Sequence, residues 1–125
     1  MLSLPLPVRI FLCAHHVDLR KSFDGLAQLV REFLGEDPLS GHLFVFRSKR
    51  GDRLKLLYWD RDGYVIFYKR LEIGCFRFPA VTGDGNGIEI PATDLAMILE
   101  GIDLTSVKRH KRYRRPEPVS VATDR

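Results

Sequence analysis

Cysteine is scarce in this sequence, with Cys13 and Cys75 the only two. They are too few and too far apart for a zinc site built on paired cysteines, and they allow at most one disulfide. The expectation is two reduced, buried thiols in a cytoplasmic protein, because an unpaired cysteine packs as a small hydrophobe. Long apolar runs are missing too. Nothing approaches the roughly 20 residues that a membrane span requires, so no membrane partner is expected. The apolar start, residues 1–14, lacks a basic opening and is interrupted by Arg9, so it is not read as a secretory leader. The glycine-rich stretch at residues 83–87 lacks the lysine and the helix start of a phosphate-cradling loop.

One sign of charge is also locally absent. Residues 80–107 hold no lysine or arginine against five acids, whereas residues 42–79 hold nine basic side chains against four acids. Residues 108–125 hold seven against two, and residues 1–41 are nearly balanced at four against five. An evenly solvated surface would not segregate in this way. Two basic surfaces are therefore expected, with an acidic segment between them. The length of 125 residues suits one hydrophobic core rather than two. The expected organisation is a single domain over residues 1–107 followed by a basic, flexible tail over residues 108–125.

What is present is dominated by residues 40–72, where three segments rich in Val, Ile, Phe, Tyr and Trp are separated by two charged turns. Residues 42–47, 53–59 and 64–70 have the length and composition of strands. The turns, 48–52 and 60–63, each combine Gly with Asp, as positive φ and a side-chain acceptor require. This reads as a three-stranded antiparallel meander. Before it, residues 8–13 read as a strand. Asp18 or Ser22 then caps a helix in which Phe23, Leu26, Val30, Phe33 and Leu34 recur at helical spacing, ended by Gly35 and Pro38. Gly25 inside that helix suggests a close contact. After the meander, residues 75–78 read as a fourth strand and residues 88–90 as another. Residues 93–100 read as a second helix closed by Gly101. The fold class is α+β: a small antiparallel sheet centred on the meander, packed against one main helix, with a second helix towards the C-terminus.

If Arg47 stands opposite Arg53, and Trp59 opposite Tyr64, the alternation of side chains sorts the meander into two faces. One collects Phe44, Phe46, Leu54, Leu56, Tyr58, Val65 and Phe67 and is expected to lie under the first helix. The other mixes Leu43, Val45, Leu57 and Ile66 with Arg47, Arg53, Lys55, Arg70, Trp59, Tyr64 and Tyr68. That second face is basic and aromatic, which suits nucleic acid: cations neutralise phosphates and exposed rings stack on unpaired bases. Arg47, Lys49, Arg50, Arg53, Lys55 and Arg70 are the expected phosphate contacts, joined by Lys108, Arg109, Lys111, Arg112, Arg114 and Arg115 of the tail. Trp59, Tyr64 and Tyr68 either stack on bases, dock a partner protein, or are buried. The sequence leaves those three readings open.

An enzyme would need a constellation, and none is legible. His15 and His16 are adjacent and point apart, while His42 and His110 are distant. Asp60 and Asp62 flanking Arg61 are a carboxylate pair that could hold magnesium in a nuclease, but turn chemistry with Gly63 accounts for them more simply. No catalytic residue, metal or cofactor is assigned.

The segments DLRKSFDGLAQLV (residues 18–30), SGHLFVFRSKRGDRLKLLYWDRDGYVIFYKRLE (residues 40–72) and FRFP (residues 76–79) together resemble a family. It is the small accessory protein, often called TnpB, of the sixty-six group of bacterial insertion sequences, distinct from the RNA-guided nuclease of the same name. The resemblance covers residues 8–104. It implies a non-catalytic role in DNA transposition beside a separately encoded DDE transposase, with DNA and that transposase as partners, and it carries over no site residues. A module that docks on the transposase without touching DNA is the alternative.

Overall fold

The computed structural model describes residues 8–79, 85–103 and 108–109. The first apolar run forms β1 (Ile10–Cys13), buried at all four positions. The helical spacing that follows produces α1 (Phe23–Leu29), which runs on as a π-helical turn over Val30–Leu34 and stops where Gly35 takes φ 68°. Ser22 occupies the N-cap position but makes no side-chain capping bond. Asp18 belongs to the preceding turn, where its carboxylate accepts from the backbone N–H of Arg20. A Cβ on Gly25 would lie 3.1 Å from the Cβ of Lys21, so the contact suggested by that glycine is with its own helix approach.

The meander follows as β2 (Leu43–Arg47), β3 (Arg53–Asp60) and β4 (Gly63–Arg70), then β5 (Gly87–Ile90) and α2 (Ala92–Glu100). These five strands make one open sheet in the order β4-β3-β2-β1-β5. Every neighbouring pair is antiparallel except β1 and β2, which run parallel because α1 supplies the crossover between them. The α+β class, the meander, the two helices and β5 are as the sequence implies. A separate pair, β6 (Ile102–Asp103) and β7 (Lys108–Arg109), is antiparallel. Lys108 and Arg109, where the expected tail begins, thus have paired backbone, while Lys111, Arg112, Arg114 and Arg115 lie outside the described residues, as do residues 83–84 of the glycine-rich stretch.

Two expectations are corrected. Residues 75–78 form no strand; the segment crosses the end of the sheet irregularly, held by Phe76, whose N–H donates to Gly51 O at 2.8 Å and whose ring is buried. The register of β2 on β3 also differs by one residue. Trp59 does pair with Tyr64, but Arg47 pairs with Leu54 rather than Arg53. The reason is Ser48: its N–H donates to Arg53 O at 3.0 Å and its Oγ accepts from Arg53 N–H at 3.2 Å, which extends the ladder by one pair.

Because side chains alternate with period two, that single step re-sorts the faces. Phe44 and Phe46 join Leu57, Phe11 and Cys13 beneath Leu26, Ala27 and Val30 of the first helix. Leu54 and Leu56 join Val45, Ile10, Leu12 and Ile90 on the other side, covered by Leu95 and Ile98 of α2 and by Phe76. The sheet is buried on both faces, and the molecule has three layers where the sequence suggested two. Cys13 is buried as expected, and burial pushes its thiol pKa up. Cys75 is exposed, contrary to expectation, because the irregular segment that carries it lies on the surface. Among the described residues no helix is long and apolar enough to cross a membrane.

Candidate nucleic-acid interface

Because β1 and β2 are parallel neighbours, their carboxyl ends lie side by side, and the chain leaving each one meets the other. Val17 N–H donates to Arg47 O at 3.0 Å, tying the turn after β1 to the end of β2. Between the turn at residues 16–20 and the loop at residues 48–53 lies an open groove of about 860 Å³, floored by Lys55 and Tyr68. Its lining includes five cations, Arg20, Lys49, Arg50, Arg53 and Lys55, against two carboxylates, Asp18 and Asp52. The loop is built to hold its shape. Gly51 is buried at φ 81°, a conformation glycine tolerates, and its N–H donates to Ser48 O at 3.0 Å. Ser48 Oγ donates to Asp52 Oδ1 at 3.3 Å. Lys49 and Arg50 project from the tip of this turn and are exposed.

The predicted contacts divide sharply. Lys49, Arg50 and Arg53 are exposed together at the groove, and Arg53 donates to the Tyr68 hydroxyl at 3.3 Å. Arg70 stands opposite Arg53 across the β3–β4 ladder and is exposed, but it is engaged by Glu72 at 2.8 Å. Lys55 is buried: its Nζ donates to Lys21 O at 2.8 Å and lies 4.8 Å from the centre of the Tyr68 ring. Arg47 faces the opposite layer. Its guanidinium donates to Ala14 O at 3.2 Å and sits 5.4 Å from the Phe78 ring, and its Nε is buried without a partner. The backbone of Lys108 and Arg109 lies in β7, away from the five-stranded sheet's ladder.

The aromatics divide as well. Tyr68 is exposed beside the basic loop. Trp59 and Tyr64 are half-buried at the far end of the hairpin, packed edge to face with centroids 5.0 Å apart. Six residues of strand separate that pair from Arg53 and Arg70, or about 20 Å. They do not form one surface with Lys49 and Arg50.

Arg20 and Asp18 are what sequence reasoning missed at this groove. The side-chain hydrogen bonds from Arg20, followed by its backbone N–H, hold the Asp18 carboxyl down to about 2. The pair is exposed and is charged throughout the neutral range. Nothing local in the sequence marks it; only the parallel crossover brings residues 16–20 against residues 48–53. Asp60 and Asp62 occupy the β3–β4 turn, where Arg61 at φ 55° separates them and Asp62 N–H donates to Asp60 O. Among the described residues there is no group of three or more His, Cys, Asp or Glu side chains placed to hold a metal ion.

A family model described as IS66 Orf2 like protein matches residues 8–109. The chain is similar to the protein y4jC of Sinorhizobium fredii (strain NBRC 101917 / NGR234), with 41% identity over 113 residues, covering 90% of this chain and 94% of the relative. It is similar also to y4hO of the same strain, with 41% identity over 96 residues, covering 77% and 82%. No solved structure matches the chain.

Proposed function

From the premise that this chain belongs to the family of IS66 Orf2-like proteins, we propose that it is a non-catalytic, DNA-binding accessory factor in transposition of a bacterial insertion sequence. It would assist a separately encoded DDE transposase. The observation that carries the reading is the groove at the carboxyl ends of β1 and β2, where two loops distant in sequence and the start of β3 bring the exposed cations Arg20, Lys49, Arg50 and Arg53 beside one exposed tyrosine, Tyr68. A merely solvated surface would interleave acids with those cations. Here Asp18 is paired with Arg20, while Asp52, oriented by the Ser48 hydroxyl, keeps its charge and is outnumbered three to one by Lys49, Arg50 and Arg53. The uncommitted charge is therefore that of Lys49, Arg50 and Arg53, which would sit on consecutive phosphates.

The test is binding to element-end DNA over a salt series. Removing one cation from a phosphate should flatten the plot of log affinity against log salt by about 0.9. Replacing Lys49 and Arg50 with alanine should reduce the slope by nearly two such steps and weaken binding to all sequences alike. An unchanged slope overturns the assignment.

A further inference from the structure

The five-stranded sheet ends in two edges of unlike character. β5 is four residues long, whereas β4 is eight and pairs with β3 without a bulge from Arg53–Arg70 through to Asp60–Gly63. The parity of the ladder shows which backbone groups face outward. Leu71 N–H donates inward to Asp52 O, so odd-numbered residues of β4 bond to β3 while Tyr64, Ile66, Tyr68 and Arg70 turn their N–H and C=O groups to the open edge. Among the described residues no backbone hydrogen bond from outside the sheet reaches them. The strand carries no proline, and Phe67 and Tyr68 on its two faces are 44% and 49% exposed. An eight-residue edge strand with no proline or bulge, apolar from Tyr64 to Tyr68, is normally blunted or covered.

We propose that a second copy of this chain covers it, β4 against β4 in antiparallel pairing about a dyad at Ile66. Only residues whose polar groups both point outward can form the hydrogen-bonded pairs, which restricts the register to even against even. Centring on Ile66 sets Tyr64 against the partner's Tyr68 and Val65 against the partner's Phe67, so both exposed rings gain apolar neighbours. Just beyond each end of the paired strands it brings Asp62, in the β3–β4 turn, towards the partner's Arg70, so that Arg70, paired with Glu72 within its own chain, meets a second carboxylate in a self-complementary match of opposite charges. The product is a continuous ten-stranded sheet with both α1 helices on one side.

In this dimer the two basic grooves share one face. Arg53 and its copy are separated by eight residues along the strand direction and three strand spacings across, or about 30 Å. One turn of duplex DNA is about 34 Å. The dimer itself does not depend on the DNA-binding reading, but this match of spacing rests on it.

The experiment is sedimentation equilibrium of the full chain without DNA. A species of twice the chain mass is expected. Asp62→Arg and Arg70→Asp, both at exposed positions, should each raise the dissociation constant about tenfold, and the two together should restore it. Arg70→Asp relieves the like-charge pairing with Arg53 but also removes the ion pair with Glu72, so circular dichroism checks that the fold is kept, and recovery of the dimer in the double variant separates a lost contact between copies from a damaged strand. A chain that is monomeric at every concentration, or a dimer indifferent to both reversals, overturns the proposal. So does a monomer that associates only when transposase is added, which would assign the edge to that protein. Because the experiment contains no DNA, failure here leaves the groove reading standing, and a failed salt series leaves the dimer standing.

Discussion

Lys55 and Arg53 are two residues apart on β3 and share a face of the sheet, yet one is buried and the other exposed. The difference is the approach of α1: Lys21 presents its carbonyl to Lys55 Nζ at 2.8 Å, and Tyr68 covers the ammonium from the side. Lys55 is thereby a buttress joining the start of the helix to the sheet, and Arg53 is left in solvent. Lys55→Met keeps most of the length of the side chain while deleting the bond to Lys21 O. It should lower stability by about 1.5–3 kcal/mol, the worth of a charge-assisted hydrogen bond, as read by urea denaturation. The salt slope of DNA binding should stay at its wild-type value, unlike that of the Lys49 and Arg50 substitutions. In sequence the six meander cations expected to contact phosphates look alike. Burial separates Lys55 from Arg53, and that burial is decided by Lys21, which lies 34 residues away.

At the scale of elements, most of the architecture is legible locally. Strand composition marks β1 to β4, helical spacing marks α1 and α2, and glycines mark their ends. What local reading does not reach is the β2–β3 register, because it turns on whether Ser48 belongs to the loop or to the ladder. A serine suits either, and its two bonds to Arg53 decide for the ladder. Residues 75–78 fail as a strand although their composition allows one: Phe76 N–H donates to Gly51 O of the β2–β3 loop rather than into a strand ladder. The docking of β5 on β1 depends on close approach at Gly87, where an added Cβ would lie 2.7 Å from Leu12 O and 2.8 Å from Leu34 Cδ2. The Leu12 contact is with backbone that cannot yield. Gly87→Ala should therefore lower the urea midpoint, with a loss of about 1–3 kcal/mol typical of overpacking.

For the molecule as a whole, the decisive feature is that the sheet is covered on both sides. Leu26 of α1 and Ile98 of α2 are each wholly buried, in separate clusters on opposite faces. Leu26→Ala and Ile98→Ala should each cost about 2–5 kcal/mol, and in combination they should be nearly additive because no partner is shared. A one-sided sheet would predict a large loss for the first and little for the second; equilibrium denaturation of the three variants distinguishes the two. The nearly continuous apolar runs of β2 and β3, Leu43 to Phe46 and Leu54 to Trp59 broken only by Lys55, are the pattern of strands buried on both faces.

By itself the sequence determined every element type but that of residues 75–78 among the expected ones, the meander, the class of fold, the family, and the concentration of positive charge between residues 47 and 55. These follow from composition and short-range periodicity, which every residue carries with it. The tertiary structure alone decided the β2–β3 register, the covering of the second face, and which cations remain exposed. It also decided that the basic loop at residues 48–53 meets the turn at residues 16–20 and not Trp59 and Tyr64. Each of these rests on contacts between segments far apart in the chain: a parallel crossover that brings two strand ends together, and a helix that buries one lysine while leaving its neighbours in solvent.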